Sequence, residues 1–227
     1  MAGIKVFGLP ASTDVARVLT CLFEKDVEFQ LIRTDTYKGD HKIPEFLRLQ
    51  DPSGRVTFKE GKRTMTDSRE ICRYISEKFA DQGNKHLLGT GALERSSIEQ
   101  WLQAEAQNFD PIASKLVFHL AFAVPLGVKT DNSLVEQCEK KLAAVLDVYN
   151  QRLEESEYLG GDEFTLADLS HLPNSHYLVS TEKGCELFYS RKNVERWWKA
   201  ISARPTWKQV VHMKSEHPGP LEKFATI

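Results

Sequence analysis

A chain of 227 residues, 41% hydrophobic and 27% charged with a formal net charge of −2, holds enough apolar material for one large or two smaller cored domains. Charges of both signs are interspersed, so no basic field points to nucleic acid. Four cysteines, Cys21, Cys72, Cys138 and Cys185, stand apart without a C-x-x-C pair, which fits neither a disulfide scaffold nor a zinc centre and makes a reducing compartment the default.

The opening residues lack the charged segment and long apolar stretch of a secretory leader, and the longest apolar run, around Leu116 to Val128, contains His119 and is broken by Pro125. Cytosolic location without membrane insertion is the expectation. Ile4 to Phe7 alternates as a strand and ends at Gly8-Leu9-Pro10. Val15, Val18, Leu19, Leu22 and Phe23 then recur at helical spacing, placing a helix start near Thr13 or Asp14. Val27 to Ile32 reads as a second strand, so the first three elements form a β-α-β unit with a right-handed crossover.

A polar stretch from Thr34 to Lys42 precedes a short helical pattern at 45–50. Val56 to Lys59, the turn Glu60-Gly61-Lys62 and Arg63 to Met65 predict a hairpin, and a helix continues from Ser68 through Ile71, Tyr74, Ile75 and Phe79. Asp81 to Gly91 reads as a linker. Beyond it strand signals nearly vanish. Ile98, Trp101, Leu102, Ala106 and Phe109 mark one amphipathic helix, and Leu134, Cys138, Leu142, Val145, Leu146, Tyr149 and Leu153 mark another. Thr165-Leu166-Ala167-Asp168 has the form of a capping box, and a final helix is expected around Asn193 to Ala203. The predicted architecture is an α/β domain over 1–82 followed by an all-helical domain over 91–227.

The segments KVFGLPASTDVARVL at the start, KGDHK at 38–42, DSREICRYI at 67–75, FDPIASKL at 109–116, YLGGDEFTLADLSHLP at 158–173 and NVERWWKAISARPTWK at 193–208, taken together and in this order, resemble the plant phi-class glutathione transferases. The resemblance implies a thioredoxin-like N-terminal domain that binds glutathione as co-substrate and a helical domain that receives small hydrophobic electrophiles. It also implies a cytosolic homodimer with no permanently bound cofactor, working in detoxification or secondary metabolism.

Conjugation requires the glutathione thiolate, and a thiol of pKa near 8.5 is only about 3% ionised at pH 7. Lowering that value by about two units corresponds to about 2.7 kcal/mol, which one hydrogen bond to a charged group together with a helix N-terminus is able to supply. By resemblance Ser12 is the catalytic hydroxyl that stabilises the thiolate, with Thr13 as the fallback. His41 and Lys42 match positions that hold the glycyl carboxylate, and Asp67 and Ser68 match the pair that grips the γ-glutamyl end. Arg55 and Val56 stand where a glutamine and a valine meet glutathione, and Phe118, Phe122 and Leu126, at i, i+4, i+8, point toward the acceptor pocket. Read without the family, Ser12 and Asp67-Ser68 are ordinary helix starts, KGDHK is a solvated loop and the aromatic stripe is core packing. His171, His176 and Cys185 have no common metal-ligand spacing.

Four residues depart from the family pattern. Thr57 stands where a cis proline is usual, so a trans bond is expected there; Arg55 replaces a glutamine, Asp67 a glutamate and Ser53 an aromatic. Two functions follow: a transferase, of full or reduced activity, and a carrier of flavonoid-like apolar ligands that has lost most conjugating power.

Overall fold

The computed structural model describes residues 3–34, 56–123 and 127–216. The expected helix at 45–50 and the residues His41, Lys42, Ser53, Arg55 and Leu126 lie outside them. The chain divides into two compact units, one comprising the described residues up to Lys85 together with a helix at Pro205–Glu216, the other running from His86 to Arg204.

In the first unit, strand β1 (Ile4–Phe7) buries Ile4 and Val6 while Lys5 faces outward, the alternation expected of a pleated strand. It pairs in parallel with β2 (Phe29–Ile32), from Ile4 opposite Phe29 to Phe7 opposite Ile32. Parallel neighbours need a crossover, which α1 (Thr13–Glu24) supplies by laying Val15, Val18, Leu19 and Leu22 into the core. β2 is shorter than its apolar alternation predicts, because Asp26 takes a left-handed conformation and the Val27 amide bonds back to Leu22 O, closing the helix before the strand can start. On the other side of β1 runs antiparallel β3 (Thr57–Glu60), joined by a Gly61 turn of positive φ to β4 (Arg63–Met65), giving the order β2-β1-β3-β4. Helix α2 (Ser68–Lys78) buries Ile71, Cys72 and Ile75 and packs on α1.

Eight further α-helices and two π-helical turns follow among the described residues. The second unit opens with α3 (Ala92–Ala104), continues through a π-helical turn at Glu105–Phe109 into α4 (Asp110–Val117), and ends this run in a second π-helical turn at Phe118–Phe122. The single helix expected to end at Phe109 is therefore longer and twice widened. Pro111 has no N–H to give to the carbonyl four residues back, which accounts for the first widening. Helix α5 (Asn132–Glu155) buries Val135, Cys138, Leu142, Leu146, Tyr149 and Leu153, and the short α6 (Leu166–Leu169), α7 (Leu172–Val179), α8 (Glu182–Tyr189) and α9 (Lys192–Ser202) complete the bundle.

The helix expected to close the chain is not the last. After Ser202 the chain turns, and Pro205, tolerated at the first position of a helix but not inside one, starts α10 (Pro205–Glu216). Its Trp207 and Val210 are buried, the helix packs on α1, and the Thr206 hydroxyl donates to the Glu24 carboxylate. The fold class read from the residues, a mixed α/β domain with a helical domain after it, is the one found.

Candidate functional site

The turn after β1 sets the first functional position. Gly8 carries a positive φ of 138° and donates its amide to Ile32 O, ending the strand cleanly. Four residues on, Ser12 is the N-cap of α1 in an extended conformation; its amide donates to Leu9 O at 2.9 Å and its carbonyl accepts the Ala16 amide at 2.8 Å. Its side chain makes no capping bond to α1, so the plain helix-cap role that a serine in this place suggests is not the one it has.

At α2 the capping role is filled. Asp67 is the N-cap, and its Oδ1 accepts the amides of Arg69 and Glu70, each at 2.9 Å. Ser68 is buried at the first position of the helix, where its hydroxyl donates to Asp14 Oδ1 at 2.6 Å and accepts from Arg17 Nη1 at 2.8 Å. Arg17 Nη1 also reaches Asp14 Oδ1 at 3.0 Å, closing a triangle between the starts of α1 and α2.

Sheet register brings a third position to this end of the unit. Thr57 opens β3 opposite Phe7, the last residue of β1, so Val56, which is buried, lies beside the turn that leads to Ser12. Every peptide bond among the described residues is trans, including the one before Thr57, as expected with no proline there. Ser12, Val56, Asp67 and Ser68 are thus gathered at one end of the sheet.

The acceptor-side residues belong to the helical unit. Phe118 is 39% exposed and meets the His119 ring edge-on at 5.1 Å, whereas Phe122 packs against Tyr177 at 5.0 Å. The two phenylalanines therefore differ: one is surface-facing and the other is partly absorbed into packing. His119 Nδ1 is buried with no hydrogen-bond partner among the described residues.

The remaining polar candidates serve the fold. Thr165 and Asp168 form the expected capping box, and His171 shares a hydrogen bond between its Nε2 and the Tyr149 hydroxyl at 2.9 Å, while its Nδ1 donates to Ala167 O at 2.7 Å. Both ring nitrogens are thereby occupied by contacts within the fold. Burial, with Glu105 nearby, pushes the Tyr149 phenol far above its ordinary range, so it stays a proton donor. All four cysteines are free thiols, with Cys21 and Cys72 facing one another between α1 and α2, where burial raises the Cys72 thiol well above its usual value.

Reading the residues in sequence misses Asp14 and Arg17. The available signal is a charge on the wrong face: Arg17 sits between Val15 and Val18 among buried positions of α1 and is itself only 1% exposed. A fully buried arginine demands anionic or polar partners close by.

Known proteins match the chain over most of its length. Residues 2–77 match the model of the glutathione S-transferase N-terminal domain and residues 109–205 that of the C-terminal domain. A glutathione S-transferase of Hyoscyamus muticus is 43% identical over 213 residues, covering 93% of this chain and 99% of the relative. Glutathione transferase F2 of Populus trichocarpa superposes with a TM-score of 0.90 at 52% identity, covering 94% of this chain and 99% of that one. A maize glutathione S-transferase I, solved in complex with an atrazine glutathione conjugate, superposes with a TM-score of 0.86 at 28% identity, covering 95% of this chain and 100% of its own.

Proposed function

Because the chain belongs to the glutathione S-transferase family, among its plant phi-class members, we propose that it joins the sulfur of glutathione to small hydrophobic electrophiles. The observation that carries this reading is the gathering of Ser12, Val56, Asp67 and Ser68 at one end of the sheet, around the starts of α1 and α2. Glutathione enters as co-substrate, and the chemistry calls for no resident metal or organic group.

In this scheme Val56 pairs its backbone with the cysteinyl unit, and the Asp67 carboxylate takes the γ-glutamyl ammonium group while α2 presents its N-terminus to the γ-glutamyl carboxylate. His41, Lys42 and Arg55 supply hydrogen-bond donors for the remaining carboxylate. The thiol releases its proton to water and the Ser12 hydroxyl donates a hydrogen bond to the thiolate. The sulfur lone pair then attacks the electrophilic carbon, and the leaving group departs with the bonding pair. Phe118 and Phe122, with Leu126, contribute apolar surface to the acceptor. We place the protein in the cytosol as a homodimer, with residues 1–82 recognising glutathione and 91–227 the acceptor, in detoxification or secondary metabolism.

Thr57 supports a second reading, a carrier of apolar ligands with weakened conjugation, since the usual proline turn next to Val56 is missing. Retention on immobilised glutathione followed by a conjugation assay on wild type and Ser12→Ala separates the two. Retention with turnover that collapses in the variant supports the transferase; hydrophobic-ligand binding with neither retention nor turnover supports the carrier.

A further inference from the structure

Cys21 and Cys72 are buried where α1 packs on α2, and each sulfur rests on the backbone of the other helix. Cys21 Sγ donates to Cys72 O at 3.6 Å and Cys72 Sγ to Arg17 O at 3.7 Å, and the two thiols hydrogen-bond one another. Cys21 Sγ also lies 3.6 Å from Ser76 Oγ, one turn beyond Cys72 on α2, so small side chains let the two helices approach closely here. Neither thiol has a part in the conjugation scheme. Among the described residues no third thiol, imidazole or carboxylate joins them, as a zinc site would require.

We infer that Cys21 and Cys72 are a redox-active pair, which closes to a disulfide in the presence of hydroperoxide and latches α1 to α2. The sulfurs move from hydrogen-bond contact to about 2.05 Å, which side-chain rotation supplies with little displacement of the helices. The thiolate of one cysteine attacks a peroxide oxygen, the O–O bond breaks, and a sulfenic acid and a hydroxide form. The sulfur of the other cysteine then attacks the sulfenic sulfur, and its S–O bond breaks as water leaves with the second thiol's proton. The first thiol's proton turns the hydroxide into water, so two electrons pass from the sulfurs to one peroxide and two waters are released. Two neutral thiols become a neutral disulfide, and the apolar interface gains no charge.

Burial sets the timing. Burial first, and then the hydrogen bond with Cys21, raise the Cys72 thiol, so thiolate is scarce while the helices are closed. Peroxide reaches the sulfurs when α1 and α2 part: the sulfenic acid forms on opening and the disulfide on reclosure. In a reducing compartment the pair rests as thiols, and hydroperoxide converts it in those molecules that have begun to open. The bond spans 51 positions of the chain and restricts the unfolded state, so it holds closed the unit that carries Ser12 and Asp67. Cys21 and Cys72 each lie more than one helical turn beyond those residues, and the helix starts keep their geometry.

The test treats the full chain with hydrogen peroxide, blocks remaining thiols with iodoacetamide and digests with trypsin without reductant. The expected product joins peptides 18–25 and 70–73, and it forms about 10-fold faster in urea below the unfolding midpoint than in buffer. Oxidised protein unfolds at a urea midpoint about 1 M higher than reduced protein, and dithiothreitol returns it to the starting value, a comparison within one chain that needs no variant to fold. Cys21→Ala and Cys72→Ala each abolish both the joined peptide and the gain in midpoint. Absence of the joined peptide after half-buried Cys185 has fully reacted overturns the inference, as does linkage of Cys21 or Cys72 to another cysteine instead, or a joined product whose midpoint is unchanged or lower. Peptide linkage and unfolding are read without any conjugation assay, so a chain inactive as a transferase still decides the matter.

Discussion

Trp197 donates its indole Nε1–H to Asp168 Oδ1 at 2.9 Å, with both residues fully buried. The same oxygen accepts the Leu159 amide at 3.0 Å, and Oδ2 accepts the Thr165 amide at 3.0 Å and its hydroxyl at 3.1 Å. Burial pushes the Asp168 carboxyl up, and these donors oppose but do not cancel the push. Removing the carboxyl strands several buried donors, each costing about 1–3 kcal/mol. Asp168→Ala is expected to lose about 3–5 kcal/mol in denaturant unfolding, and Asp168→Asn, which keeps the shape and one acceptor, about 1–3. A loss for the alanine variant below about 1 kcal/mol would show that the surrounding turn re-pairs its amides elsewhere.

Gly184 lies in the first turn of α8 against the end of α7. A Cβ built there would stand 2.1 Å from Leu178 O and 2.5 Å from its carbonyl carbon, backbone atoms that cannot swing aside. Gly184→Ala gains helix propensity worth about 1 kcal/mol, but the overlap forces the two helices apart at a cost of about 1–3 kcal/mol or more. A lower melting temperature than wild type is expected. An unchanged or higher one would mean that α7 and α8 separate freely.

What can be read from the residues is what depends on near neighbours. The capping box at Thr165 and Asp168 and the hairpin around Gly61 span three or four positions, and the period of the apolar residues gives α1, α2 and α5 directly. Ser12, Asp67 and Ser68 stand out through their order within a family pattern. The Asp14–Arg17–Ser68 triangle does not, because two of its sides join residues 54 and 51 positions apart and exist only once α1 packs on α2. The π-helical turns are hidden for another reason: a widened turn shifts the apolar stripe by one residue, which a search for period 3.6 registers as noise. Helix α10 is short of periodic signal because it buries little beyond Trp207 and Val210.

Glu60 gives a pH dependence with a definite sign. Burial pushes its carboxyl up, but hydrogen bonds from Lys78 and Tyr74, with Arg63 nearby, outweigh that and hold it below the ordinary glutamate range. A depressed folded value means that the unfolded chain binds the proton more readily, so the stabilisation is complete above the unfolded pKa and is lost as pH falls through the folded one. Unfolding midpoints in urea from pH 7 down to pH 3 are expected to fall less steeply on the acid side for Glu60→Gln than for wild type, with the two curves offset by a constant above about pH 6. Parallel curves throughout would show that the Glu60, Tyr74 and Lys78 contacts are absent in solution.

Ser12 is the position where catalysis and carriage give opposite answers. As donor to a thiolate it acts on charge, so its loss should appear as a shift in ionisation and not only as a weaker complex. With Ser12→Ala, the acid limb of the kcat/KM profile for conjugation is expected to move upward toward the free-thiol value of about 8.5. At pH 7, kcat/KM is expected to fall about 10²- to 10³-fold, the usual cost of one donor to a developing or held anion. Ser12→Thr keeps a hydroxyl at the same distance along the side chain, and recovery of the acid limb in that variant identifies the hydroxyl as the cause. Conjugation by Ser12→Ala at wild-type rate and with an unshifted profile would assign thiolate stabilisation to another group, for which the neighbouring Thr13 hydroxyl, at the first position of α1, is the next to test.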